Sequence, residues 1–350
     1  MKKLAIFLLC ILLQPVWVAG FQKGFVQDGL GDKLDDLMTS FSRSGYSGAV
    51  LVAQNGEIIL SKGFGLADRE RKIQNTPSTI FHVASVGKMF TSAAILQLEM
   101  RGKLSTNDLL SKYLGQFPKE KSGATIHQLL IHTAGLVADG TPLNYNSRKA
   151  FIQSVKDAPL ESAPGTKYRY TNAGYILLAA IVEEVSGQPF ETYLQQNLFD
   201  PAGMTSTGYA WNPRFDHARV AVGYKGDNLA ALKPNPRVTD RWGNRGAGNI
   251  LTTIGDLYKW ITALQDNTIL SKQAKEKMFT AYISDEGYGW HVTKTARGTQ
   301  MVRRSGGRAD FESEVRWYVE ENVVVILTAN NHLHFRRLVT PAIEKTIWQK

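Results

Sequence analysis

Runs that read as strands stand near both ends of this chain, while the long stretch between them reads as helices. A chain so arranged has to bring its two ends together to make a sheet. Near the start, Ala49 to Ala53 and Ile58 to Leu60 flank Asn55-Gly56, the dipeptide that best accepts the positive φ angles of a two-residue hairpin turn. Near the end, Met301 to Ser305, Val315 to Val319 and Val323 to Thr328 read as three strands, with Glu321-Asn322 turning the last pair. Ahead of the first hairpin, Leu30, Leu34, Leu37, Met38 and Phe41 follow helical spacing. Between the ends lie Lys88 to Met100 closed by Gly102, Thr125 to His132, Ala173 to Val185 closed by Gly187, Glu191 to Gln195, and Thr253 to Leu264; both glycines suit the left-handed cap that ends a helix. The simplest assembly is an α+β fold. One antiparallel sheet forms from 26–84 and 285–350, terminal helices lie against it, and a helical region over 85–284 sits beside it with a cleft at the junction. No repeat or low-complexity tract interrupts this plan.

The first residues stand apart from it. Lys2 and Lys3 precede an apolar run from Leu4 to Leu13, followed by Val18, Ala19 and Gly20, the pattern of a signal peptide over residues 1–20. The run stops at Gln14 and Pro15, short of the roughly 18 to 20 apolar residues that cross a bilayer, so no stable membrane span is expected after cleavage. Cleavage near Gly20 takes away Cys10, the single cysteine. A mature chain over 21–350 then has no thiol, which excludes a cysteine nucleophile, cysteine-ligated zinc and disulfides together. The net charge of +10 falls to +8 without Lys2 and Lys3. In an exported protein that excess favours an anionic envelope polymer, or plain solubility, over nucleic acid.

Three short motifs carry possible chemistry. In Ser85-Val86-Gly87-Lys88 a hydroxyl and an amine three residues apart share a helix face, at the mouth of a segment that is apolar around most of its circumference from Met89 to Leu98. Such a helix is buried, and its positive end favours a developing oxyanion while burial lowers the pKa of the lysine. The ordinary alternative is a helix start with an exposed lysine. Tyr170-Thr171-Asn172 precedes the helix from Ala173; Tyr170 offers a base, and Asn172 reads as its N-cap. Arg304-Ser305-Gly306-Gly307 ends a strand, where glycines let a substrate approach the backbone and an arginine can hold a carboxylate. Other chemistries find less footing. There is no Gly-x-Ser-x-Gly, the nearest being Gly45-Tyr46-Ser47-Gly48. His127 and His132 lack the His-Glu-x-x-His pattern of a zinc site, and His332 with His334 lacks an acidic third ligand.

Taken in order, the three motifs resemble those of the serine β-lactamase and penicillin-binding-protein superfamily: Ser-x-x-Lys, Tyr-x-Asn, then a basic strand motif. The resemblance is to the class C β-lactamase-like branch, which includes esterases and D-aminopeptidases. It extends through Phe81-His82-Val83-Ala84-Ser85, Thr125 to Leu136, Pro164-Gly165, Pro201-Ala202-Gly203-Met204 and Gly246-Ala247-Gly248. The resemblance implies a five-stranded antiparallel sheet flanked by N- and C-terminal helices, with an inserted all-helical subdomain. It implies Ser85 as the nucleophile of an acyl-enzyme, and Lys88 and Tyr170 sharing its proton. The amides of Ser85 and Gly307 would form an oxyanion hole, and Asn172, Arg304, Ser305, Gly306 and Gly307 would contact substrate. No metal and no cofactor is implied. The expected protein is an exported, periplasmic, monomeric hydrolase of a small-molecule or short-peptide ester, amide or β-lactam; the alternative is a catalytically slow penicillin-binding or cell-wall peptide-binding sensor. One departure stands out: where relatives carry Lys or His, this chain has Arg304, which keeps its charge and cannot exchange a proton.

Overall fold

The computed structural model of the protein describes residues 29–137, 145–212, 215–225, 230–231, 241–331 and 334–348; the signal-like segment 1–20 with Cys10, and His332, lie outside the described residues. Asn55 and Gly56 take φ of 53° and 84°, closing β1 (Gly48–Gln54) onto β2 (Glu57–Phe64). The other strands of this sheet are β3 (His291–Lys294), β4 (Gln300–Gly307), β5 (Glu312–Tyr318) and β6 (Val323–Ala329). The order is β3-β4-β5-β6-β1-β2, antiparallel throughout. The two ends of the chain join where β1 meets β6, in register from Gly48 opposite Ala329 to Gln54 opposite Val323.

The sheet has six strands and not the expected five. The additional one, β3, is a four-residue edge strand, His-Val-Thr-Lys, too short for alternation to reveal. It pairs with β4 from Gln300 to Arg303, so Arg304 to Gly307 run on past it.

Period-two alternation divides the central strands between two apolar layers. Val50, Val52, Val325 and Leu327 face outward onto α1 (Leu30–Arg43) and the C-terminal helix Arg336–Trp348, meeting Leu34, Met38, Val339 and Ile343. Ala49, Leu51, Val324 and Ile326 face inward onto the larger core shared with the helical region. Covering both faces explains why every residue of β6 is buried.

In the helical region, α2 (Lys88–Met100) is buried from Lys88 to Leu98 and packs on α3 (Asn172–Ser186), buried from Ala173 to Val182. The helix expected over Thr125 to His132 is shorter, Ile126–Leu130, because His132 adopts a left-handed φ of 58° and turns the chain. Its start carries a capping box between Thr125 and Gln128. The region is not purely helical: Gly208–Tyr209 and Ile250–Thr252 join Phe81–His82 in a small three-stranded sheet. That small sheet carries the chain into Ser85.

Candidate active site

Phe81–His82 leads through Val83 into one 3-10 turn, Ala84–Gly87, and directly into α2. Ala84 has φ of 45°, a left-handed conformation that a residue with a Cβ adopts at a cost, and such strain collects at functional turns. Close packing from two sides holds it. A Cβ on Gly306 would stand 2.1 Å from the Val83 carbonyl oxygen, and one on Gly248 would stand 2.9 Å from the Ala84 carbonyl oxygen; the glycines let β4 and the 246–248 loop press on the turn. His82 pins it from behind, its Nδ1 accepting from the Ala84 amide at 3.1 Å and its Nε2 lying 3.1 Å from Asn249 Oδ1. Burial, with Arg308 nearby, pushes the His82 pKa down to about 3, so this imidazole is neutral.

The fold brings three distant groups to one point. Lys88 Nζ donates to Ser85 Oγ at 3.2 Å, and the Tyr170 hydroxyl donates to the same Oγ at 2.8 Å. Lys88 has no exposed surface; its other two donors reach Asn172 Oδ1 at 2.8 Å and the Ala247 carbonyl at 2.6 Å. All three N–H groups are thereby matched to acceptors. Burial lowers the Lys88 pKa to about 8, Arg304 adding to the shift and Tyr170 opposing it. Burial would raise the Tyr170 phenol, yet Lys88 and Arg304 together outweigh it and bring it down to about 8. The two titrate as a coupled pair.

Asn172 is not the N-cap the sequence pointed to. Thr171 caps α3, its Oγ1 accepting from the Ala173 amide at 3.1 Å; Asn172 is the first helical residue and its side chain is free to hold Lys88.

Arg304 is turned inward. Its guanidinium side chain, 2% exposed, donates from Nε to the Ser85 carbonyl at 3.2 Å, from Nη1 to Glu286 Oε1 at 2.9 Å and from Nη2 to the Tyr170 hydroxyl at 3.3 Å. The substrate carboxylate expected for it is replaced here by groups of the protein. Ser305 pairs with Glu314 and alternation sets it with Arg303 and Met301, on the sheet face opposite to Arg304. Its hydroxyl is therefore turned from Ser85, whereas Gly306 touches the nucleophile turn and Gly307 is exposed beyond it.

Two more residues join the site, Glu286, which no motif points to, and His132, which the sequence offers only as a metal candidate and as part of a family stretch. Glu286, fully buried, anchors Arg304, and no motif marks it beyond its place just ahead of Tyr288-Gly289-Trp290. His132 lies against the Tyr170 ring, centroids 4.5 Å apart; its left-handed φ is what places it there. Burial, then Arg304 and Lys88, hold its pKa well below the usual histidine value. The Thr171 amide donates to His132 Nδ1 at 3.3 Å, which leaves the proton on Nε2. His127 goes elsewhere, 2.7 Å from the Tyr288 hydroxyl. Among the described residues no group of three or more His, Cys, Asp or Glu is placed to hold a metal ion, and no helix is long and apolar enough to cross a membrane.

Comparison with known proteins gives matches along most of the chain. The family model described as Beta-lactamase matches residues 32–344. A Bacillus subtilis protein whose name places it among penicillin-binding proteins, PbpX, is 36% identical over 262 residues, 75% of this chain; the chain spans 66% of that protein's length. The teichoic acid D-alanine hydrolase of Staphylococcus aureus is 28% identical over 304 residues, 85% of this chain and 73% of that protein. The crystal structure of FmtA from Staphylococcus aureus superposes with a TM-score of 0.78 at 26% identity, covering 91% of this chain and 90% of that one.

Proposed function

Because the chain belongs to the beta-lactamase family and has penicillin-binding-protein relatives, we propose that it is an exported serine hydrolase working in the cell envelope, as a monomer, through an acyl-enzyme on Ser85. The observation that carries this reading is the double contact at Ser85 Oγ, with Lys88 Nζ at 3.2 Å and the Tyr170 hydroxyl at 2.8 Å. At neutral pH three acceptors hold Lys88 as an ammonium, which leaves the phenol as base. Tyr170 in its phenolate form takes the Ser85 proton as Oγ bonds to the carbonyl carbon. The amides of Ser85 and Gly307 receive the oxyanion; each such donor is worth about 3 to 4 kcal/mol in comparable sites. As the tetrahedral species collapses, the bond to the leaving group breaks and Tyr170 returns the proton to it. Water then repeats the sequence and frees the acid.

The substrate class is a small acyl compound: an ester, a D-amino-acid amide or a β-lactam. The names of the relatives, penicillin-binding protein and teichoic acid D-alanine hydrolase, support a carbonyl presented in the cell envelope, and the net positive charge suits an anionic polymer there. The test is labelling with a fluorophosphonate and a penicillin probe, followed by turnover of nitrocefin, p-nitrophenyl acyl esters and D-alanyl peptides. Wild type should label and turn over, and Ser85→Ala should do neither. Undiminished labelling of Ser85→Ala moves the nucleophile elsewhere; a penicillin label that persists for hours on wild type, with no turnover of the esters or D-alanyl peptides, makes the protein a sensor.

A further inference from the structure

Glu286 spends a buried carboxylate behind the site, and its surroundings say what for. Arg304 Nη1 donates to its Oε1 at 2.9 Å and the Tyr168 hydroxyl to its Oε2 at 3.3 Å. His291 Nδ1 lies 3.3 Å from Oε2, and His132 Nε2 lies 3.6 Å from Oε1. Both histidines are pushed toward the neutral form, chiefly by burial, so Arg304 is the cation in direct contact with this carboxylate. Its backbone is held as firmly as its side chain. Ser284 and Asp285 have φ of 49° and 60°, and the Glu286 amide donates to the Ile283 carbonyl at 2.8 Å. A buried ion pair is a poor source of stability compared with apolar packing, so its retention here calls for another reason.

We propose that Glu286 is a positioning residue for acyl transfer: it fixes the Arg304 guanidinium on the Tyr170 hydroxyl and the Ser85 carbonyl, away from the groove, and so makes the site select acyl donors that carry no free carboxylate. The inference rests on the acyl-transfer reading above and deepens it. An arginine reaching into the groove would grip a substrate carboxylate bidentately; this one has donors on Glu286, Tyr170 and Ser85 instead. The groups facing the Tyr170 phenol are the cations Lys88 and Arg304, the Ser85 hydroxyl and the neutral His132 ring, with the Tyr168 and Tyr175 phenols, both pushed up chiefly by burial, beyond them.

The experiment compares a phenyl ester with the same ester bearing a carboxylate on its leaving ring. Wild type should show a kcat/KM at least about tenfold higher for the neutral ester. Glu286→Gln keeps the size of the side chain and removes its charge; it should erase most of that preference by lowering KM for the carboxylate ester, and should move the acid limb of kcat/KM for the neutral ester to higher pH as the guanidinium leaves the phenol. A wild-type preference for the carboxylate ester overturns the proposal whatever the variants do. So does an acid limb that stays fixed, or one that moves to lower pH, in which case Glu286 acts as an opposing charge and not as an anchor. If Glu286→Gln does not fold, the wild-type preference decides alone. If no ester is turned over by way of Ser85, the functional reading fails separately; the anchor is then read from a 13C-tyrosine NMR titration of Tyr170, which should shift upward in Glu286→Gln, and an unmoved signal overturns it.

Discussion

The two faces of the sheet are built on different terms. On the outer face, valines and leucines of β1 and β6 meet Leu34, Met38, Val339 and Ile343, and the contact contributes through apolar area removed from water. On the inner face the same strands back a core that also encloses Lys88, Glu286 and Arg304, each at 2% exposure or less. Enclosing charge costs stability even when it is paired. Charge is enclosed on the outer face too, where Glu312 and Glu314 of β5 are buried and Glu314 pairs with Arg316 at 3.2 Å; what the inner layer, the larger core, adds is an amine and a phenol kept near the pH at which they can exchange protons.

Exchanging one residue on each face separates the two roles most sharply. Lys88→Met replaces the buried ammonium by an apolar chain of similar length. It should cost about 10²- to 10⁴-fold in kcat while the midpoint of urea unfolding holds or rises. Ile343→Ala opens a cavity under the C-terminal helix and should cost about 2 to 5 kcal/mol in the same unfolding experiment, with kcat unchanged below the transition. A Lys88→Met variant that is both inactive and badly destabilised would break the comparison.

A second consequence lies in pH. Lys88 and Tyr170 both come to about 8 in the folded protein, against roughly 10.4 and 10 for the free side chains. Between those values the unfolded chain binds more protons than the native one, so stability should climb as pH rises from about 8 toward about 10. Below about 8 the buried ammonium is carried at full cost. Below about 8 kcat/KM should rise about tenfold per pH unit and bend near 8. In Lys88→Met the loss of the neighbouring cation should move that bend upward. Chemical denaturation and steady-state kinetics at matched pH values measure both; an Ile343→Ala variant should reproduce the wild-type shape of each curve, simply offset in stability.

The same contrast governs what the sequence made legible. Outer-layer positions such as Leu30, Leu34 and Met38 announce themselves by spacing, and Asn55-Gly56 by the φ values it tolerates, because both depend on local periodicity and backbone sterics. Ser85, Lys88 and Tyr170 were readable as short motifs. What those motifs left out is the buried polar second partner. Glu286 sits alone in sequence, and its meaning appears only when β4 delivers Arg304 to it. The inward turn of Arg304, the opposite facing of Ser305 and the left-handed His132 follow from register and tertiary packing, which no window of a few residues encodes. The edge strand His291–Lys294 was hidden by its length.

The smallest expected effect falls where the two terms meet. Thr171 caps α3 through the Ala173 amide, donates to the Val137 carbonyl at 3.3 Å, and stands between Tyr170 and Asn172. Its amide also reaches His132 Nδ1, but that bond belongs to the backbone and survives substitution. Thr171→Ala should therefore lose the cap and the bond to Val137 together, about 0.5 to 2 kcal/mol, read as a shift in the unfolding midpoint at constant slope. Because the cap sets the direction in which Tyr170 and Asn172 leave the helix end, kcat should fall a few-fold as well, roughly what a loosened hydrogen bond to Lys88 costs. An unchanged kcat with the full loss of stability would place Thr171 with the outer layer in kind, and would mean that Lys88 and Arg304, not the helix end, aim the phenol at Ser85.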